Sequence, residues 1–172
     1  MKKIWRVFAA VALVAFAATT MASCDKDDDN DKDLEGGASK IAGTYNGDLS
    51  ATVMGTPCDF DGKYDVVITK LKGIEDDVTI TLPECTYSNE QMHGGFVIPS
   101  VTVADVDVAR SSSDANVYVL DDEDFSTTVD GMTVTGKISG GKVTGSKIEL
   151  TYTITPGTMP MPINFTFTGN LK

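Results

Sequence analysis

From Thr44 to Val53 apolar and polar side chains alternate. Tyr45, Leu49, Ala51 and Val53 share one face of an extended chain, and Thr44, Asn46, Asp48, Ser50 and Thr52 share the other. Successive side chains of a strand point to opposite faces, so a period of two predicts a strand with one buried and one wet side. Met54-Gly55-Thr56-Pro57 then turns the chain. A second strand sets Phe60, Tyr64, Val66 and Ile68 inward against Asp59, Asp61, Lys63, Asp65 and Thr69. A third, Val78 to Leu82, stops at Pro83, which has no N–H to give to a central ladder. No stretch carries a sustained helical period.

The middle is interrupted more often. Gly94-Gly95 and Pro99 break it, Phe96 to Val108 reads as extended, Arg110 to Asp114 as an exposed loop, and Asn116 to Leu120 as a further strand. The acidic Asp121-Asp122-Glu123-Asp124 that follows reads as a solvated turn, because neighbouring carboxylates alone fix no coordination geometry for a cation. In the last third each break carries a turn dipeptide. Asp130-Gly131 separates Phe125 to Val129 from Met132 to Ile138, Gly140-Gly141 separates that strand from Val143 to Ile154, and Pro156-Gly157 precedes the closing strand Met159 to Gly169. The closing strand sets Met161, Ile163, Phe165 and Phe167 on one face and Pro162, Asn164, Thr166 and Thr168 on the other. Successive hairpins make sequence neighbours into spatial neighbours. An all-β antiparallel meander of about eight strands with one apolar face hides that face by closing into a barrel or folding into a sandwich.

The amino-terminal stretch is different in kind. Lys2, Lys3 and Arg6 precede an apolar run from Val7 to Ala18, which suits an export signal and is too short for the roughly twenty residues of a spanning helix. Met21-Ala22-Ser23-Cys24 resembles the lipobox of bacterial lipoproteins, with Met21 where the pattern prefers Leu. The resemblance implies that Cys24 becomes the mature N-terminus and carries acyl chains, several of which together hold a protein stably to a bilayer. The next residues, Asp25 to Asp33, are almost all charged, with no aromatic or β-branched member, and read as a solvated linker. They lack the loop glycine and terminal Glu of an EF-hand at the right offsets. An acidic stretch directly after the lipidated cysteine is similar to the export signal of surface lipoproteins in Bacteroidetes, which implies an outer-membrane protein facing the cell exterior. Residues 1–23 are thus expected to be the signal, 24–39 the lipidated cysteine with its linker, and 40–172 one barrel domain.

Charge narrows the partners. The chain has 14 basic and 25 acidic residues and a formal charge of −11; loss of Lys2, Lys3 and Arg6 with the signal takes it to −14. Nothing in such a chain neutralises phosphates, so nucleic acid is not an expected partner.

Several segments carry a closer likeness. Ile41-Ala42-Gly43-Thr44-Tyr45, Met54-Gly55-Thr56-Pro57, Val101-Thr102-Val103 and the closing Met161 to Gly169 resemble the calycin-like β-barrel lipoproteins of Bacteroidetes, over most of Lys40 to Lys172. Gly43-Thr44-Tyr45 is also similar to the Gly-x-Trp of lipocalins, whose aromatic side chain plugs one end of the barrel, with Tyr45 in the place of the Trp. The resemblance implies an up-and-down lipocalin-like barrel in the envelope and supplies no activity.

Candidate chemistry is sparse. His93 is the one histidine, in a turn-like stretch with no partner whose distance the sequence fixes, so neither a catalytic site nor a zinc site is expected, and no cofactor. With Cys24 committed to lipid, Cys58 and Cys85 remain in an oxidising compartment. A disulfide between them, worth roughly 3 to 4 kcal/mol on chain-entropy grounds, and two buried thiols that never meet both fit. The inward Tyr45, Leu49, Val53, Phe60, Tyr64, Phe165 and Phe167 are candidates to line a cavity for a small apolar or amphipathic ligand, or to fill the barrel as core. The alternative is an interaction module that engages an envelope protein or a secreted protease through its outer loops. An apolar cavity favours the first, a filled core with an exposed apolar patch the second.

Overall fold

The computed structural model describes residues 37–58, 60–87, 96–157 and 159–172. Cys24, the acidic linker and His93 lie outside the described residues. Helix α1 (Gly37–Ile41) is followed by strands β1 (Gly43–Val53), β2 (Thr56–Cys58), β3 (Tyr64–Lys70), β4 (Asp77–Leu82), β5 (Cys85–Tyr87), β6 (Phe96–Ile98), β7 (Val101–Arg110), β8 (Val117–Leu120), β9 (Glu123–Val129), β10 (Met132–Thr144), β11 (Lys147–Pro156) and β12 (Ile163–Leu171). All pairings are antiparallel, and β12 returns to β1 to close an eight-stave barrel in sequence order. Two staves are split. β2 and β3 both pair with β1, on either side of the break at 59–63. Both β8 and β9 pair with β10 in one unbroken register, interrupted at Asp121-Asp122.

The alternation read from the sequence sorts the faces as expected. Tyr45, Leu49 and Ala51 of β1 are buried, as are Val66 and Ile68 of β3 and Ile163, Phe165 and Phe167 of β12. Across the ladders these side chains meet in tiers. Leu49 faces Phe167, which faces Leu150, and Ala51 faces Phe165, which faces Tyr152. Where bulky rings fill a tier, neighbouring positions are bare: Gly47 pairs with Gly169, and the Phe167 ring lies over Gly169.

The tight turns obey their own chemistry. Met54 and Gly55 join β1 to β2 and lie at φ 51° and 79°; Asp130 and Gly131 join β9 to β10 at 50° and 80°. Positive φ at both central residues is what a type I′ hairpin requires. Gly140-Gly141, expected to be a turn, is instead part of the thirteen-residue β10, where the register against β11 slips by one between Ile138 and Gly140. The chain turns five residues later, at Gly145-Ser146, between the paired Thr144 and Lys147. Glycine pairs mark bulges as well as turns, and here Gly141 leaves room for Leu120, whose Cδ1 would lie 2.5 Å from any added Cβ.

α1 closes one end of the barrel. Ala38 and Ile41 are fully buried, and the Tyr45 hydroxyl donates to the Ile41 carbonyl at 2.8 Å. Ala38 N–H donates to the Glu75 carbonyl at 3.1 Å, which ties the helix to the β3–β4 loop. α1 takes in Gly37 to Ser39, which the composition assigned to the linker, and a five-residue helix is too short to leave a periodic signal.

Candidate functional site

The other end of the barrel carries the Met54-Gly55 and Asp130-Gly131 turns, the 157–162 connection and the small β5–β6 sheet. That sheet sits between Leu82 and Val101 and packs onto the barrel through Cys85 and Ile98, which are 4% and 0% exposed. Ser100 Oγ donates to the Leu82 carbonyl at 2.8 Å and fixes the return into β7. β5 and β6 thus form a lid.

Under the lid lies a chain of aromatic rings. Tyr152 and Phe165 stack with centroids 4.9 Å apart and planes 11° from parallel. Phe60 is 6.0 Å from Phe165 and meets Tyr64 edge-on at 6.2 Å. Offset and edge-to-face pairs are the arrangements that aromatic quadrupoles favour. Burial pushes the Tyr152 phenol far above its ordinary value, with the Cys85 thiol adding to the rise. Cys85 itself is pushed up to about 12, first by burial and then by the Glu84 carboxylate. At neutral pH it stays a protonated thiol, and a thiol is a poor nucleophile compared with a thiolate. Tyr64 is raised too, by burial and then by Cys85 and Asp61.

The residues singled out in the sequence divide into two groups. Tyr45, Leu49, Phe165 and Phe167 are 0%, 6%, 1% and 0% exposed and belong to one buried hydrophobic cluster. They fill the barrel as core. Val53, Phe60 and Tyr64 are partly buried and pack against that core at the lidded end. Cys58 and Cys85 are both buried free thiols, the second of the two arrangements open to them. Tyr152 and Ile98 belong to the same cluster and were not singled out, Tyr152 because its strand was not resolved by face and Ile98 because the lid has only three residues per strand.

Around the rim the surface is apolar in places. Met54 is 76% exposed at a turn tip, and Val97 on the lid is 49% exposed. A left-handed Met is uncommon, because φ near 50° strains any residue with a Cβ and Asn or Gly fits better. Elsewhere, an open groove of about 350 Å³ runs over the outer wall past Gly140, Lys142, Glu149, Thr151 and Thr166. Asp122 of the acidic stretch pairs with Lys137 at 2.8 Å, and among the described residues no group of three or more His, Cys, Asp or Glu is placed to hold a metal.

The family model described as a calycin-like beta-barrel domain matches residues 41–170. A crystal structure from Bacteroides fragilis, of a protein provisionally classed as an outer membrane protein, superposes with a TM-score of 0.61 at 25% identity. The match covers 77% of this chain and 52% of that one, so the chain spans about half the length of that structure. No curated protein matches it.

Proposed function

Because the chain belongs to the calycin-like β-barrel family, we propose that it is an envelope lipoprotein whose barrel binds a protein partner at its lidded end, not a carrier of a small ligand inside. The observation that carries this reading is Met54: a bulky apolar side chain, three-quarters exposed, held at a strained turn position on the rim. Strain retained at an exposed tip is a cost that folding alone does not require. The packed interior supports the same reading, since Tyr45, Phe165 and Phe167 occupy the volume a carrier would leave empty. The outer-membrane classing of the B. fragilis protein favours the envelope, and the lipobox-like Met21 to Cys24 favours an acyl anchor. α1 lies at the end of the barrel opposite the lid.

The test compares the full chain and Met54→Asn in their own host. The parent, cross-linked in intact cells and purified, is expected to carry a protein that the variant loses, while the variant melts at the same or a higher temperature. A parent that instead shows, by native mass spectrometry, a small molecule released on denaturation and equally present in the variant would sink this reading.

A further inference from the structure

We propose that the outer edge of β9 is a docking site for an extended, basic segment of a partner protein, which joins the barrel as an added strand. This goes beyond the partner-binding reading at the Met54 tip, because it places a separate contact on the barrel wall.

β9 ends the strand path: β10 is its one ladder neighbour among the described residues. The cause lies in the neighbouring stave. β7 and β8 pair through Val108 with Leu120, and the Asp121 N–H still donates to the Asp107 carbonyl at 3.0 Å. Continued in that register, Glu123 would stand opposite Asp105, and like charges directly opposite each other destabilise a pair. Asp105 lies at φ 58°, and the β4–β7 register slips at the same place. β7 therefore bends at Asp105, and among the described residues no ladder joins it to β9, which leaves a seam between the two strands.

The backbone groups facing that seam can be identified. Val129 and Met132 flank a two-residue turn and so exchange both ladder bonds, and bonded and non-bonded pairs then alternate away from the turn. Asp124, Ser126 and Thr128 fall in the non-bonded pairs, which directs their N–H and C=O groups away from β10. The Thr133 carbonyl, opposite Thr128, accepts from Gly157 N–H at 2.7 Å on the far side of β10, as this alternation demands.

An unpaired edge of this kind is a template for an incoming strand, and proteins usually blunt it with Lys, Pro or a bulge. The run Phe125 to Val129 has none of these: it is uncharged, rich in Thr and in register throughout. The charge beside it decides the partner. Asp105, Asp121 and Asp124 flank the seam, and the nearby cation Lys137 is engaged by Asp122. A strand with Lys or Arg on alternate residues complements this edge, and an acidic strand is repelled.

The test uses the full chain and a capped nine-residue peptide alternating lysine and threonine, with two controls: the same peptide N-methylated on alternate residues, and its glutamate counterpart. The lysine peptide is expected to bind and to slow exchange of the Ser126 and Thr128 amides. N-methylation and the Ser126→Pro substitution should each weaken binding by about tenfold or more, because each removes edge donors. Pro at this position leaves the β9–β10 ladder its bonds, so the fold should persist; if it does not, the N-methylated peptide on the parent chain decides alone. Asp124→Asn should flatten the salt dependence. Absence of binding to the parent, or equal binding of the methylated peptide, would overturn the edge proposal and leave the Met54 reading standing.

Discussion

Substituting Gly47 by Ala should open the barrel where it closes. Gly47 pairs with Gly169 in the β1–β12 ladder, and a Cβ built at Gly47 would lie 2.0 Å from the Thr168 carbonyl oxygen and 2.3 Å from the Gly169 Cα. These are backbone atoms of a paired strand, so no side chain can rotate away, and β1 and β12 must separate by about 1 Å to restore ordinary contact. Overpacking in a well-filled interior costs about 1 to 3 kcal/mol, and stretching the two nearest ladder bonds adds about 1 kcal/mol each. The expected loss is roughly 3 to 5 kcal/mol. At about 2 kcal/mol per molar urea, the unfolding midpoint by far-UV circular dichroism falls by roughly 1.5 to 2.5 M. Gly55→Ala is the control. Its Cβ meets nothing within 4 Å, but its φ of 79° strains any side chain, so it should cost only about 1 kcal/mol. If Gly47→Ala unfolds within about 0.3 M of the parent, or no earlier than Gly55→Ala, the tight β1–β12 approach is wrong.

Other measurements test the remaining contacts. Tyr45→Phe removes the 2.8 Å bond to the Ile41 carbonyl and should cost about 1 to 2 kcal/mol, read as a lower melting temperature. Phe165→Ala takes a ring from between Phe60 and Tyr152 and should cost about 3 to 5 kcal/mol, with loss of the near-ultraviolet signal. Cys85 makes stability fall with alkali: the unfolded thiol ionises from its usual 9.0 while the folded one holds its proton to about 12, so the unfolded state binds fewer protons across that window. Cys85→Ala should flatten the fall in urea midpoint between about pH 9 and about pH 12. Cys24→Ala should release the protein from membranes, and neutralising Asp27, Asp28 and Asp29 should protect it from protease added to intact cells; equal cleavage of parent and neutralised forms would discard the surface address.

The barrel was legible because its information is local. Alternation at Tyr45, Leu49 and Ala51, and again at Ile163, Phe165 and Phe167, sets the inward face, and Met54-Gly55 and Asp130-Gly131 set two hairpins. Gly140-Gly141 was misread because the same dipeptide serves a turn and a bulge, and only the pairing of Lys142 with Glu149 shows which. Parity also could not say whether Phe165 and Phe167 line a cavity or fill it. That depends on the side chains met across the barrel, such as Tyr152 and Leu150, and those are set by register. The β9 edge was invisible for a similar reason: it exists because Asp105, eighteen residues earlier than Glu123, bends a different strand.

The closure of β12 on β1 also governs the order in which this protein can be made. Ser50 Oγ donates to the Thr166 carbonyl across 116 residues of chain, so the first strand must wait for the last. Contacts of such span slow folding, because the entropy of closing the loop is lost before any contact repays it. Until β12 arrives, β1 and β11 are both bare edges, and an emerging chain could pair them with a neighbour. A holding factor that keeps the first strands apart until the last is delivered would therefore raise the yield of this barrel more than any change that strengthens its finished core.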